Sequence, residues 1–166
     1  MTRKDILFSI RELSSAPHAR DFTTVAENIH PSDLAEALAL LPLSTILSLT
    51  GKLDSEKKAA LFSYFPEALQ KSLFPVMTVE ETADLFEHLA ADDRADIYAL
   101  LENPLREKLL PALSQETRND LLKLSSFPEE STGSATTSEY LSVLPETRVA
   151  AALRTVRAAA RSSETV

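Results

Sequence analysis

Cysteine and tryptophan are absent from this chain, and glycine occurs only at Gly51 and Gly133. Without cysteine there is no disulfide and no thiolate metal site, a usage that fits a reducing compartment. Two glycines in 166 residues argue against a sheet-rich fold with tight hairpins, and against a glycine-rich phosphate loop. Positive charge is scarce too. Seventeen Lys and Arg against twenty-five Asp and Glu leave a net charge of −8, which disfavours a nucleic-acid backbone as partner and suits cations or basic protein surfaces. Long hydrophobic runs are missing as well. The longest uncharged stretch, Ala37 to Gly51, carries Pro42 and several hydroxyl residues, whereas a membrane-spanning helix needs about twenty mostly apolar residues. The opening MTRKDILFSIRELSS is interrupted by Arg11 and Glu12 before a signal-type apolar core can form. The polypeptide as given is therefore expected to be soluble.

What is present is a beat. From His30 to Leu124 a turn signal, two or three acidic or polar residues and an apolar stripe return about every twelve residues. It is plain in HPSDLAEALALLP (30 to 42), LDSEKKAALFSYFP (53 to 66), MTVEETADLFEHLA (77 to 90) and LAADDRADIYALLENP (89 to 104). So short a period implies single helices of about two turns, none able to bury its apolar face alone. Two helices are expected before the beat, at about Arg3 to Ser14 and Ala19 to Ile29. Ser32, Ser44, Asp54 or Ser55, Thr78, Asp92, Asn103 and Ser114 offer capping oxygens, Thr78 with Glu81 has capping-box spacing, and Pro31, Pro42, Pro66 and Pro104 punctuate. Leucine and phenylalanine recur at helical spacing, as in Leu34, Leu38 and Leu41 or Leu85, Phe86 and Leu89, so consecutive helices must pack on one another in an antiparallel or superhelical course.

After Leu124 the texture changes. Ser125 to Ser138 is small and polar and reads as a linker, Glu139 to Leu144 suits one strand, and Thr147 precedes an alanine-rich helix whose face carries Val149, Ala152, Leu153, Val156 and Ala160. One strand and one helix cannot make an independent core, so the chain is expected to end inside, or borrow from, a second domain.

The densest acidic constellation is Asp92, Asp93 and Asp96. On a helix Asp92 and Asp96 share a face and can present oxygens to one hard cation, with Asp93 about a quarter-turn away. Magnesium keeps much of its hydration, so one or two carboxylates suffice for a weak site. The plainer reading is that first-turn acids favour the helix dipole and that one of them caps the helix. Glu80, Glu81 and Asp84 form a second acidic patch that capping and solvation explain, and Glu129 and Glu130 lie in the linker. His18, His30 and His88 have no second His or Cys at ligand spacing, and no nucleophile, base and orienter arrangement can be defended, so no enzyme is expected. Arg154, Arg157 and Arg161 read as a solvated basic stripe.

IHPSDLAEALALLP, LAADDRADIYALL and the tail TGSATTSEYLSVLPETRVAAALRTVRAAARSSETV together resemble the cytosolic portion of MgtE-type magnesium transporters. The resemblance implies an all-α, right-handed superhelix of short helices over residues 1–125, a linker at 126–138 and the incomplete start of a CBS domain, strand then helix, at 139–166. It implies a magnesium-sensing region at the cytoplasmic face of the cell membrane, gated when Mg2+ bridges acidic surfaces. The partners it implies are the CBS and transmembrane domains of the same full-length protein, in a homodimer, with no nucleic acid and no membrane insertion of this stretch itself. Asp92 and Asp96 match the family's magnesium-binding positions, with Asp93 beside them. A further acidic position of some members falls on Ala60, so Mg2+ is expected to bind weakly here. The linker departs from the family where Gly133 to Ser138 replace a glycine pair followed by methionine and threonine, and the tail stops at Val166, where the family's first CBS domain continues. The alternative is a helical protein-interaction adaptor related to the superhelices of flagellar motor switch proteins.

Overall fold

The computed structural model describes residues 22–127, 131 and 142–159. In order these form α1 (Phe22–Ala26), α2 (Pro31–Leu38), α3 (Leu43–Thr50), α4 (Ser55–Ser63), α5 (Glu67–Leu73), a 3-10 turn (Phe74–Val76), α6 (Val79–His88), α7 (Ala91–Leu100), α8 (Asn103–Ala112), α9 (Gln115–Ser125) and α10 (Val149–Ala159). The described residues are all-α, as the beat implied. The helix expected at Arg3 to Ser14 lies outside them, as do most of the linker and the first half of the expected strand; residues 142–144, which are described, form no strand.

The period is stricter than the sequence suggested. The residues that cap the starts of α2 to α9 are His30, Pro42, Asp54, Pro66, Thr78, Ala90, Glu102 and Ser114, twelve residues apart each time. In α6, α7 and α8 the reason is visible. Each helix has ten residues and ends on a leucine, Leu89, Leu101 or Leu113, whose ψ of 146°, 144° or 154° leaves the helical region. The next cap is extended too, so ten helical residues and two extended ones make each unit. A ten-residue helix spans about 15 Å.

Three expected caps are in place. Asp54 accepts from the Lys57 amide at 2.8 Å, Ser114 accepts from the Thr117 amide at 3.2 Å, and Thr78 and Glu81 form a reciprocal capping box. The others are corrected. Ser32, Ser44 and Asp92 stand at the second helical residue and Asn103 at the first, because the chain leaves the extended region earlier, at His30, Pro42, Ala90 and Glu102. Proline suits such a cap, since its fixed φ is already extended-compatible and it has no amide to strand. At α2 the His30 ring takes the capping role, its Nδ1 accepting from the Ser32 amide at 3.3 Å.

Packing follows the same count. Seven residues beyond the caps stand Ala37, Leu49, Leu61, Leu73, Leu85, Ile97, Leu109 and Leu121, and all are buried. One residue further on, Phe62, Phe74 and Phe86 form a ladder of tilted rings with centroids 5.4 and 6.5 Å apart. Helices meet their next-but-one neighbours: α2 with α4, α4 with α6, α6 with α8, and in the other rank α5 with α7 and α7 with α9. Full burial of each such leucine or phenylalanine contributes about 1.5 to 3 kcal/mol, and isolated helices this short are marginal in water. Leu85→Ala, at a position with no exposed surface, is expected to cost about 2 to 5 kcal/mol in urea unfolding followed by circular dichroism.

Candidate functional site

The first turn of α7 carries the acidic constellation. Its cap is Ala90, which has no side-chain oxygen, so the first-turn amides receive no capping side chain. Asp92 and Asp93 sit in that turn, where the helix dipole favours negative charge. Asp92 does not cap the helix, so of the plainer account the helix dipole remains and the capping role does not. Its Oδ1 is buried and has no hydrogen-bond partner, a property shared among the described residues only with the Nε atoms of Arg106 and Arg118. Those two guanidinium groups are satisfied through Nη2, on the Ala99 carbonyl and on the Pro111 and Leu113 carbonyls respectively.

Asp93 and Asp96 line an open groove of about 900 Å³ between α5, α7 and the end of α9, together with Glu67, Tyr98, Arg106 and Phe127. The Arg106 guanidinium stacks over the Tyr98 ring at 5.1 Å. Asp93 also borders a smaller cleft of about 260 Å³ with Glu56, Ala60, Tyr64 and His88. Ala60 thus places a methyl group in the cleft that Asp93 borders. Among the described residues no group of three or more His, Asp or Glu side chains is disposed to hold a metal ion. The donor set is nevertheless hard oxygen throughout, which fits a cation that keeps most of its water.

The other candidates have structural work. Glu81 closes the capping box, and Asp84 accepts from Ser55 Oγ at 2.8 and 3.1 Å, tying α6 to α4. His88 Nδ1 lies 2.8 Å from the Asp84 carbonyl oxygen, and the His30 ring meets the edge of Tyr64 at 5.8 Å. Glu80 is exposed, as are Arg154 and Arg157 on α10. Glu129, Glu130, His18 and Arg161 lie outside the described residues.

Two residues that sequence reasoning missed hold this edge. Arg94, 5% exposed, donates from Nε to the Phe86 carbonyl and from Nη2 to the Leu89 carbonyl, each at 2.7 Å. It thereby satisfies carbonyls that α6 leaves open at its end. Glu87 accepts from the Ser114 amide and from Thr117 Oγ1, both at 2.5 Å, and from Ser114 Oγ at 3.1 Å, joining α6 to the start of α9. Burial works to raise the Glu87 carboxyl, but donation from Thr117 and Ser114, with the Arg94 charge nearby, outweighs it and holds the group below the ordinary glutamate value of 4.5.

Short helices in two interleaved ranks, with a carboxylate-bearing edge, define an all-α superhelical domain. The chain belongs to the family described as the MgtE intracellular N domain, whose family model matches residues 29–130. Its fold is similar to the crystal structure of the soluble part of a magnesium transporter, with a TM-score of 0.90 at 19% identity over 99% of this chain and 65% of that one. It is similar also to the cytosolic domain of the Mg2+ channel MgtE in complex with ATP, with a TM-score of 0.86 at 26% identity over 96% of this chain and 66% of that one. This chain therefore spans just under two thirds of those solved chains. No curated protein matches it in sequence. Neither solved structure is described as an enzyme. Among the described residues no helix is long and apolar enough to cross a membrane.

Glu87 sets an acid limit on the domain. A carboxyl held below its ordinary value contributes stability that is present above pH 4.5 and is lost as pH falls through the lower folded value. Glu87→Gln is expected to cost about 1 kcal/mol at neutral pH. It should also flatten the fall in stability below pH 4.5, as measured by urea midpoints across an acid series.

Proposed function

We propose that this chain is the magnesium-sensing regulatory region of an MgtE-like magnesium transporter, acting at the cytoplasmic face of the cell membrane. Residues 1–125 are the superhelical domain, 126–138 a linker and 139–166 the beginning of a CBS domain, in which α10 is the first helix. Membership of the MgtE intracellular N domain family supports the reading. So does the exposure of Val149 and Leu153 on α10, at 75% and 48%, which suits a helix whose apolar face belongs to a further domain.

The observation that carries the cation site is Asp92, a first-turn carboxylate that caps nothing and has a buried oxygen with no donor. Asp96 and Asp93 complete the negative edge. Hydrated Mg2+ would be held by Asp92 and Asp96 with Asp93 beside them, and it would supply the positive charge that lets this edge approach another acidic surface. Two unit charges about 4 Å apart interact by roughly 1 kcal/mol in bulk water and about 4 at an effective dielectric of 20, so bridging a few such pairs biases a closed arrangement. Differential affinity of Mg2+ for that arrangement is what links the ion to gating. With Ala60 in the adjoining cleft, the edge alone binds weakly, and carboxylates from the CBS side complete the site in the full-length homodimer.

Calorimetric titration with MgCl2 tests this. Binding is expected in the wild-type chain and is expected to be lost in the double variant Asp92→Asn with Asp96→Asn; equal heats in the two proteins would overturn the assignment. Ala60→Glu, which adds a carboxylate beside Asp93, should tighten binding.

A further inference from the structure

The fourth helical residue of a unit can turn back toward the end of the preceding helix. In four units it is a long donor that bonds carbonyls there: Gln70 on Phe62, Arg94 on Phe86 and Leu89, Arg106 on Ala99, and Arg118 on Pro111 and Leu113. The donors stand at whole multiples of the twelve-residue unit from one another. Arg94 is distinct among the three arginines. It is the one that is buried, at 5% exposure, and both of its bonds are 2.7 Å long. Like Arg106, it belongs to a helix whose cap makes no side-chain capping bond. A two-point guanidinium clasp, set between Asp93 and Asp96 in the sequence, thus ties the first turn of α7 to the end of α6.

We infer that Arg94 is the positioning residue of the acidic edge: by fixing the start of α7 on the end of α6, it sets the direction in which Asp92, Asp93 and Asp96 meet a divalent cation. The inference rests on the magnesium reading above. Its physical ground is geometric. A planar fork on two carbonyls fixes both the position and the rotation of the turn that bears it, whereas a lysine ammonium on one carbonyl fixes position alone. A carboxylate pair four residues apart shares one cation only if the helix rotation is held, so a loosened turn weakens the pair without removing any ligand.

The chain contains its own controls. Arg118 of α9 bonds two carbonyls at the end of α8, both through Nη2, and Gln70, itself 5% exposed, shows that this fold accepts glutamine in the same place. The test compares wild type, Arg94→Lys, Arg94→Gln and Arg118→Lys by titrating MgCl2 into labelled protein and following the α7 amide resonances. Amide hydrogen exchange in the first turn of α7, without metal, is the second readout. Arg94→Lys is expected to weaken Mg2+ binding about tenfold and to speed that exchange. Arg94→Gln, which like lysine keeps one bond, should also bind Mg2+ more weakly and exchange faster than wild type. Arg118→Lys should lower the thermal midpoint with Mg2+ affinity unchanged. Equal Mg2+ affinity in wild type and Arg94→Lys would overturn the positioning role while leaving the sensing role standing. Tighter binding by Arg94→Gln with no change in Arg94→Lys would overturn it in favour of a purely electrostatic effect. Absence of Mg2+ binding in wild type would remove the sensing role and this inference together.

Discussion

A helix of ten residues cannot stand alone, and everything else in this domain answers to that constraint. Nucleation is costly and each helix adds few intrahelical bonds after it, so the fold gains its stability from faces buried between helices. The face is narrow, centred on the residue seven beyond each cap, and a helix meets its next-but-one neighbour rather than the one that follows it. Two interleaved ranks result. The phenylalanine ladder Phe62, Phe74 and Phe86 runs through consecutive units and joins the ranks that the leucines build.

Short helices also have a large share of open ends. Every unit exposes amides at its start and carbonyls at its finish, and burial makes each unpaired one expensive. The chain meets the starts with Asp54, Thr78, Ser114 and the unusual His30, and it meets the finishes with Gln70, Arg94, Arg106 and Arg118. Glu87 goes further and serves the start of a helix in the other rank. Charge inside this all-helical stack is therefore mostly backbone solvation supplied by side chains. Asp92 stands apart from that pattern.

Much of this was legible in the sequence, and the exceptions have physical causes. The beat, the all-α class, the stripes and the Thr78–Glu81 box follow from spacing alone. The helix starts at Ser44, Asp92 and Asn103 were placed late because a capping oxygen is an attractive signal, whereas Pro42, Ala90 and Glu102 cap through backbone conformation that tertiary packing imposes. The acidic edge was visible as a charge count. Its division, with Asp93 and Asp96 on the groove and the Asp92 oxygen buried, depends on where the helix begins and on what packs beside it, and no count of charges holds that information. Arg94 has no place in the reading of the sequence; the recurrence of arginine at 94, 106 and 118 is the available signal.

The two extended residues between helices have a consequence for how such a chain can change length. Because they hold the phase of the whole stack, an insertion or deletion of a few residues inside a unit rotates every later helix away from its partner. Removing one whole twelve-residue unit restores the phase but exchanges the two ranks, so buried faces meet the wrong neighbours. Only a pair of units, twenty-four residues, can be added or lost with every face still opposite its kind. Growth of this architecture is thus expected in steps of a helix pair.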